Sequence, residues 1–173
     1  MSAEPAAPSL EHRVSDLERR LAALEAAEPG PRIPEGGDFW ALEGLKQQLT
    51  EMGAVDGGVL FTGAVRLPTG EYYEWQRGEA TAGVLDGDWT DAADAFAALG
   101  HPVRLRLLRE IVGGRRTAAE LAELDGLGTT GQIYHHLRQL SAAGWLHTSG
   151  RGRHEVPPGR VVPLLVALAT TRA

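Results

Sequence analysis

Leu99-Gly-His-Pro-Val-Arg-Leu-Arg-Leu-Leu-Arg-Glu-Ile111, then Thr117-Ala-Ala-Glu-Leu-Ala-Glu-Leu124, then Gly131-Gln-Ile-Tyr-His-His-Leu-Arg-Gln-Leu140 decide how this chain is read. Pro102 suits a first helical turn, where the N–H it lacks has no intrahelical partner. Val103, Leu107, Leu108 and Ile111 recur at helical spacing, and Gly113-Gly114 stop the helix. Thr117 and Glu120 have the spacing of a capping box, with Leu121 and Leu124 facing inward. Asp125-Gly-Leu-Gly128 is a turn, and Thr129 or Thr130 caps a third helix with Ile133, Leu137 and Leu140 as its buried stripe. Three helices with a tight turn before the third predict a helix-turn-helix, which makes double-stranded DNA the first candidate partner.

Downstream, Trp145–Thr148 and Arg153–Val156 read as strands flanking Ser149-Gly-Arg-Gly152, a hairpin with a basic tip. Trp145 is expected in the core beneath it. A helix-turn-helix followed by such a hairpin is a winged helix. The exposed face of the third helix then holds Thr130, Gln132, Tyr134, His135 and Arg138. Gln pairs with an adenine edge and Arg with a guanine edge in the major groove. Thr129, Thr130 and the helix N-terminus suit phosphates, as do Arg151 and Arg153 of the wing. An ordinary amphipathic surface helix has a similar polar face, so the cap, the turn and the basic hairpin in succession carry the inference.

Residues 90–171 resemble the ArsR-type winged-helix transcription regulators. The resemblance rests on Leu99-Gly-His-Pro-Val-Arg-Leu-Arg-Leu-Leu, on Thr117-Ala-Ala-Glu-Leu-Ala, and on Ile133-Tyr-His-His-Leu-Arg-Gln-Leu-Ser-Ala-Ala-Gly-Trp-Leu146. It implies a dimeric regulator whose third helix enters the major groove while the wing touches the backbone. It also implies a dimer seam from the first and last helices, near Ala92, Phe96, Leu165 and Leu168. The turn Gly126-Leu-Gly-Thr-Thr-Gly131 is a residue longer and richer in glycine than the family's usual one. Metal sensing in such proteins uses thiolates or His/Asp pairs on the last helix. This chain has no cysteine, and no Asp, Glu or His in 161–173, so no metal site of those kinds and no cofactor is expected.

Charge distribution agrees with a nucleic-acid partner. The net charge is −6, but residues 1–100 carry 7 Arg/Lys against 18 Asp/Glu, whereas residues 101–173 carry 10 Arg against 5 Asp/Glu. The halves therefore stand at −11 and +5. Without cysteine there are no disulfides and no thiol redox chemistry. No secretory leader opens the chain and no apolar run approaches a membrane span, so a soluble cytoplasmic protein is expected. No Walker loop, nucleophile elbow, His-Glu-x-x-His or paired-Cys pattern points to an enzyme. His135 and His136 project about 100° apart on a helix, His135 outward and His136 inward, and cannot grip one metal from one face.

The overall expectation is a mostly α protein with a little β structure (α+β) in four parts: a coiled-coil helix (1–27), a Pro/Gly linker (28–37), a helix-plus-hairpin accessory module (38–89) and the winged helix with its dimerisation elements (90–173). Leu10, Val14, Leu17, Leu21 and Leu24 alternate four and three apart, as in a two-stranded coiled coil. In a parallel pair Arg13 would face Glu18 and Arg20 would face Glu25. The same helix could instead pack on its own domain. Glu28-Pro-Gly-Pro-Arg-Ile-Pro-Glu-Gly-Gly37 breaks any helix. Asp38 is expected to cap a helix from Phe39 to Met52 with Leu42, Leu45 and Leu49 on one face. Gly58–Leu67 and Glu71–Arg77 read as a hairpin, Ala80–Trp89 as a short third strand, and Thr90 as the cap of a helix over Asp91–Leu99. The final helix follows Pro157-Pro158-Gly159 and is apolar nearly all round.

Tyr72, Tyr73 and Trp75 lie among Glu71 and Glu74 and admit three readings: a small-molecule effector site, a protein-partner platform, or plain packing of the hairpin on the 39–52 helix. The function that follows is a homodimeric, sequence-specific transcription regulator, a repressor on a palindromic operator. Its alternatives are a ligand-responsive switch with the effector in 38–89, and a protein-interaction module that forms higher oligomers and binds DNA only non-specifically.

Overall fold

The computed structural model describes residues 10–26 and 39–172. Expectations that fall on Asp38 and on the 28–37 linker lie outside the described residues, as do those on the side chains of Leu10, Arg20, Leu21, Leu24 and Glu25. The chain divides into two units, Met1–Trp40 and Ala41–Ala173. The first contains helix α1 (Leu10–Ala26), on which Val14 and Leu17 are solvent-exposed and Arg19 pairs with Asp16 at 3.6 Å.

The second unit is mixed α and β. Helix α2 (Trp40–Glu51) begins at the unit boundary; β1 (Gly58–Arg66) and β2 (Tyr72–Ala80) follow, then α3 (Thr81–Asp86), α4 (Thr90–Leu99), α5 (Pro102–Val112), α6 (Ala118–Ala122) and α7 (Thr130–Ala142). Strands β3 (His147–Ser149) and β4 (Arg153–Glu155) form the wing, and α8 (Pro158–Ala169) closes the chain. This is the α+β winged helix-turn-helix that the sequence predicts.

Its core gathers the stripes read from periodicity: Leu107, Leu108 and Ile111 of α5, Leu121 of α6, Ile133, Leu137 and Leu140 of α7, and Val161 and Leu164 of α8. Leu127, from the turn before α7, is buried with them. Trp145 is 5 % exposed under the wing, and its indole N–H donates to the Ala95 carbonyl at 2.9 Å. Burying the indole without that acceptor would be costly. A bridge between Thr117 and Arg153 joins the segment before α6 to the wing, and the His154 amide donates to the Arg116 carbonyl at 2.6 Å.

Strand parity places the first hairpin between two helices. The face carrying Phe61, Gly63 and Val65, opposite Arg77, Trp75 and Tyr73, looks toward α8. Gly63 is needed there, because a Cβ would come within 2.7 Å of a Val162 methyl. The other face carries Leu60, Gln76 and Gly78, which line a cavity with Leu45 and Leu49 of α2 and Met52 just beyond it. Leu67, at the end of β1, belongs to the core of the winged helix.

Three local expectations are corrected. Residues 81–86 are a helix and not a third strand: β2 ends its register at Ala80 opposite Gly58, and the helix begins at Thr81. The carbonyl of Val84, near the end of that helix, accepts from the Trp89 indole at 2.9 Å. Thr90 is the first residue of α4, not its cap; the Asp88 carboxylate receives both its amide (2.8 Å) and its hydroxyl (2.7 Å). Trp75 packs beside α8 and not on α2, since odd-numbered strand positions look the other way.

Candidate nucleic-acid interface

Helix α7 is positioned before any partner is considered. Its N-terminus has a complete capping box: the Gln132 amide donates to the Thr129 hydroxyl at 3.3 Å, and the Gln132 side-chain oxygen accepts from the Thr129 amide at 2.8 Å. Gly128 makes this possible. It adopts φ +87°, and a Cβ there would lie 2.5 Å from the Gln132 oxygen. The long glycine-rich turn is thus the price of a tightly closed cap. Gln132 is exposed, but its side-chain oxygen is already committed to the backbone.

Beyond the cap, Thr130, Gly131, Tyr134, His135 and Arg138 are exposed along one side of the helix while Ile133, Leu137 and Leu140 are buried on the other. Tyr134 is 50 % exposed, more than packing alone requires of an aromatic ring. The wing tip is a tight turn over residues 150–152 in which Arg151 takes φ 65°, ψ 29°. A left-handed conformation is unfavourable for arginine, and Arg151 is exposed there. Arg153 is half-buried at the start of β4, beside the tip; hydrogen bonds from Thr117 hold the Glu120 carboxyl below its ordinary range, with the Arg153 charge assisting.

Other residues that hold the interface carry no motif of their own. Arg104 clamps three elements: its guanidinium donates to the Ala98 carbonyl (2.5 Å), the Ala97 carbonyl (2.6 Å) and the Gln139 side chain (2.6 Å), tying the end of α4 and α5 to α7. His101 caps α5, its Nδ1 accepting from the Val103 amide at 3.2 Å. Arg116 donates to Glu71 from the first hairpin and to Glu155 from the wing. That contact, with Thr69 and the Arg153 charge assisting, keeps the Glu71 carboxyl below its usual range. One arginine therefore straps the first hairpin to the wing. An apolar stripe or a capping pair could not have revealed this, because the partners lie 45 and 39 residues away.

His136 lies inward as expected, half-buried, with its Nδ1 enclosed and without a hydrogen-bond partner. Its ring is 4.7 Å from that of His101, and His135 stands edge-on at 5.6 Å. Burial above all, then His101, Arg104 and His135, pushes its pKa down from 6.5; burial does the same to His154. Protons therefore bind the unfolded chain better than the fold. Stability from both groups is full above about pH 6.5 and falls as pH drops through the lowered folded values. Glu71 and Glu120, lowered from 4.5, act in the same sense further down: their contribution is full above pH 4.5 and fades as they protonate in the fold. Denaturation from pH 8 to 3 should show two successive losses. His136→Leu should shrink the upper one; an undiminished upper step would refute its assignment.

Tyr72 is exposed and donates from its hydroxyl to Glu74 at 2.9 Å, Tyr73 packs against the core, and Trp75 borders α8, so the three do not converge. Phe96 is 68 % exposed on α4, while Leu165 and Leu168 are half-buried on α8. Among the described residues no group of three or more His, Cys, Asp or Glu could hold a metal ion, and no helix is long and apolar enough to cross a membrane.

No curated protein matches the chain. Residues 99–148 match a family model described as a helix-turn-helix domain, a span that runs from the end of α4 to the first wing strand. The chain carries a helix-turn-helix domain of the DNA-binding kind, and α5 to α7 are its three helices.

Proposed function

We propose that this protein is an ArsR-like winged-helix transcription regulator, acting in the cytoplasm as a homodimeric repressor that occupies a palindromic operator. The observation that carries the proposal is α7. It is capped, seated by three buried residues, and presents Tyr134, His135 and Arg138 to solvent in the basic half of the chain. In this reading Arg138 reads a base edge, with Tyr134 and His135 beside it, and Thr129 and Thr130 meet phosphate at the helix start. Gln132 contributes through its amide nitrogen, since its oxygen serves the cap. Arg151 contacts the backbone from the wing tip, with Arg153 beside it. Pairing of two chains is assigned to Phe96, Leu165 and Leu168, with α1 joining through Leu10, Val14, Leu17, Leu21 and Leu24.

Selection of bound sequences from a random duplex pool, repeated across salt, tests the proposal. A recovered palindrome with half-sites about one helical turn apart supports it. Recovery of no motif, with salt-sensitive binding, would leave a non-specific DNA-binding or oligomer-forming role. Two variants then separate reading from anchoring. Arg138→Ala should cost about 1–3 kcal/mol on the selected site and relax specificity at one base pair. Arg151→Gly should relieve the left-handed strain at the wing tip, so the protein becomes no less stable. The same change should weaken all sequences alike and lower the salt slope by about one. Unchanged binding curves for both variants would eliminate this docking mode.

A further inference from the structure

A groove of about 360 Å³ lies between the α8-facing side of the first hairpin and the start of α8, lined by Phe61, Trp75, Arg77, Gly159, Arg160 and Pro163. Its composition is unusual for a surface furrow. Phe61 and Trp75 supply aromatic walls, and Trp75 remains 40 % exposed. Phe61 lies directly across the strands from Arg77, whose guanidinium is held by Glu79 at 2.5 Å. Gly159 lets the indole approach, since a Cβ there would stand 3.3 Å from the ring.

Arg160 and Gly159 both line the groove, and each has polar capacity that no ion pair or helical bond takes up. Arg160 lies over the Trp145 ring with its guanidinium carbon 5.0 Å from the centroid, and among the described residues no carboxylate pairs with it. Pro163 sits inside α8, four residues after Gly159. An α-helix satisfies the carbonyl of residue i with the N–H of residue i+4, and proline has none. The Gly159 carbonyl thus lacks its helical donor, and Gly159 itself lines the groove.

We propose that this groove binds a small planar aromatic carboxylate that also carries a hydrogen-bond donor. The ring lies between Trp75 and Phe61, the carboxylate meets Arg160, and the donor satisfies the Gly159 carbonyl. A neutral apolar ligand would leave the guanidinium and the carbonyl unanswered, whereas a non-aromatic anion would forgo the ring contacts. The groove is separate from the exposed face of α7, so the failure of either proposal leaves the other standing.

The test uses the full chain, 15N-labelled, titrated with 4-hydroxybenzoate while the indole N–H signals of its four tryptophans are followed. Trp75→Phe identifies the Trp75 signal by its loss. That signal is expected to move saturably with 4-hydroxybenzoate, and affinity should fall about tenfold with cyclohexanecarboxylate or in Arg160→Gln. Pro163→Ala restores a helical donor to Gly159. It should reduce affinity for 4-hydroxybenzoate to that of benzoate while leaving benzoate unchanged. A Trp75 signal that never saturates, equal binding of cyclohexanecarboxylate, or an Arg160→Gln protein that binds as tightly as the parent would each overturn the proposal.

Discussion

Leu137→Ala is expected to lower the unfolding free energy by about 2–5 kcal/mol, the range for emptying a leucine site in a closed core. Leu137 is 1 % exposed and belongs to the same core as Ile133 and Leu140 on its own helix, Leu107, Leu108 and Ile111 of α5, and Leu121 of α6. The substitution removes only apolar atoms, so the cost is that of transfer and cavity together. For a chain of this size the melting temperature should fall by roughly 10 °C. The adjacent Arg138 points to solvent, and Arg138→Ala should stay within about 0.5 kcal/mol of the parent. The two neighbours therefore have opposite expected phenotypes: one substitution loosens the fold and the other spares it while impairing DNA binding. Chemical denaturation of the pair checks this directly, and a Leu137→Ala protein within 1 kcal/mol of the parent (well below the usual range) would mean that α7 is not seated as described.

Gly63→Val tests the seating of the first hairpin. The added Cβ would fall 2.7 Å from a Val162 methyl, on a helix whose Val161 and Leu164 are core residues. Neither side can yield cheaply, because β1 is held to β2 along its whole register and Val162 is itself 1 % exposed. Overpacking of this kind costs about 1–3 kcal/mol, and more where the backbone must shift. Ala64→Val, one residue further on the exposed face, makes the matched control: valine favours strands, so it should be neutral or mildly stabilising. Equal stability of the two variants would show that the hairpin does not rest on α8.

The same seating explains why the hairpin joins the winged helix in one core. Apolar contact through Gly63 and Val162, the Leu67 side chain in the core, and the Arg116 strap to Glu71 and Glu155 hold it at three places. Arg116 is 14 % exposed while both of its carboxylate partners reach solvent, so losing it would remove the tie between hairpin and wing and leave two like charges near each other, partly screened by water.

The amino-acid sequence by itself determined the helix-turn-helix and its wing. Helical spacing, Pro102 at a helix start, the Thr117–Glu120 pair, a threonine cap at 129 or 130, and glycine-marked turns all act within four residues of one another, the range over which a helix makes its hydrogen bonds and closes its caps; that Thr129 is the cap, with Gln132 as its partner, is settled by the structure. The exposed face of α7 was legible for the same reason, as was the inward turn of His136. Local reach also accounts for the errors. Residue type suggests Thr90 as a cap, whereas Trp89 holds that position and Asp88, one residue before it, accepts the Thr90 amide. Residues 81–86 lacked a helical stripe long enough to be told from a strand. Tertiary structure alone decided which helix each face of the first hairpin meets, because alternation separates two faces without naming their partners. It alone brought Arg116 between two carboxylates distant in sequence, set Arg104 across three elements, and placed Trp75 beside Gly159 and Arg160. Such contacts depend on where whole elements dock, and a docking surface is the sum of many side chains that no short stretch of sequence contains.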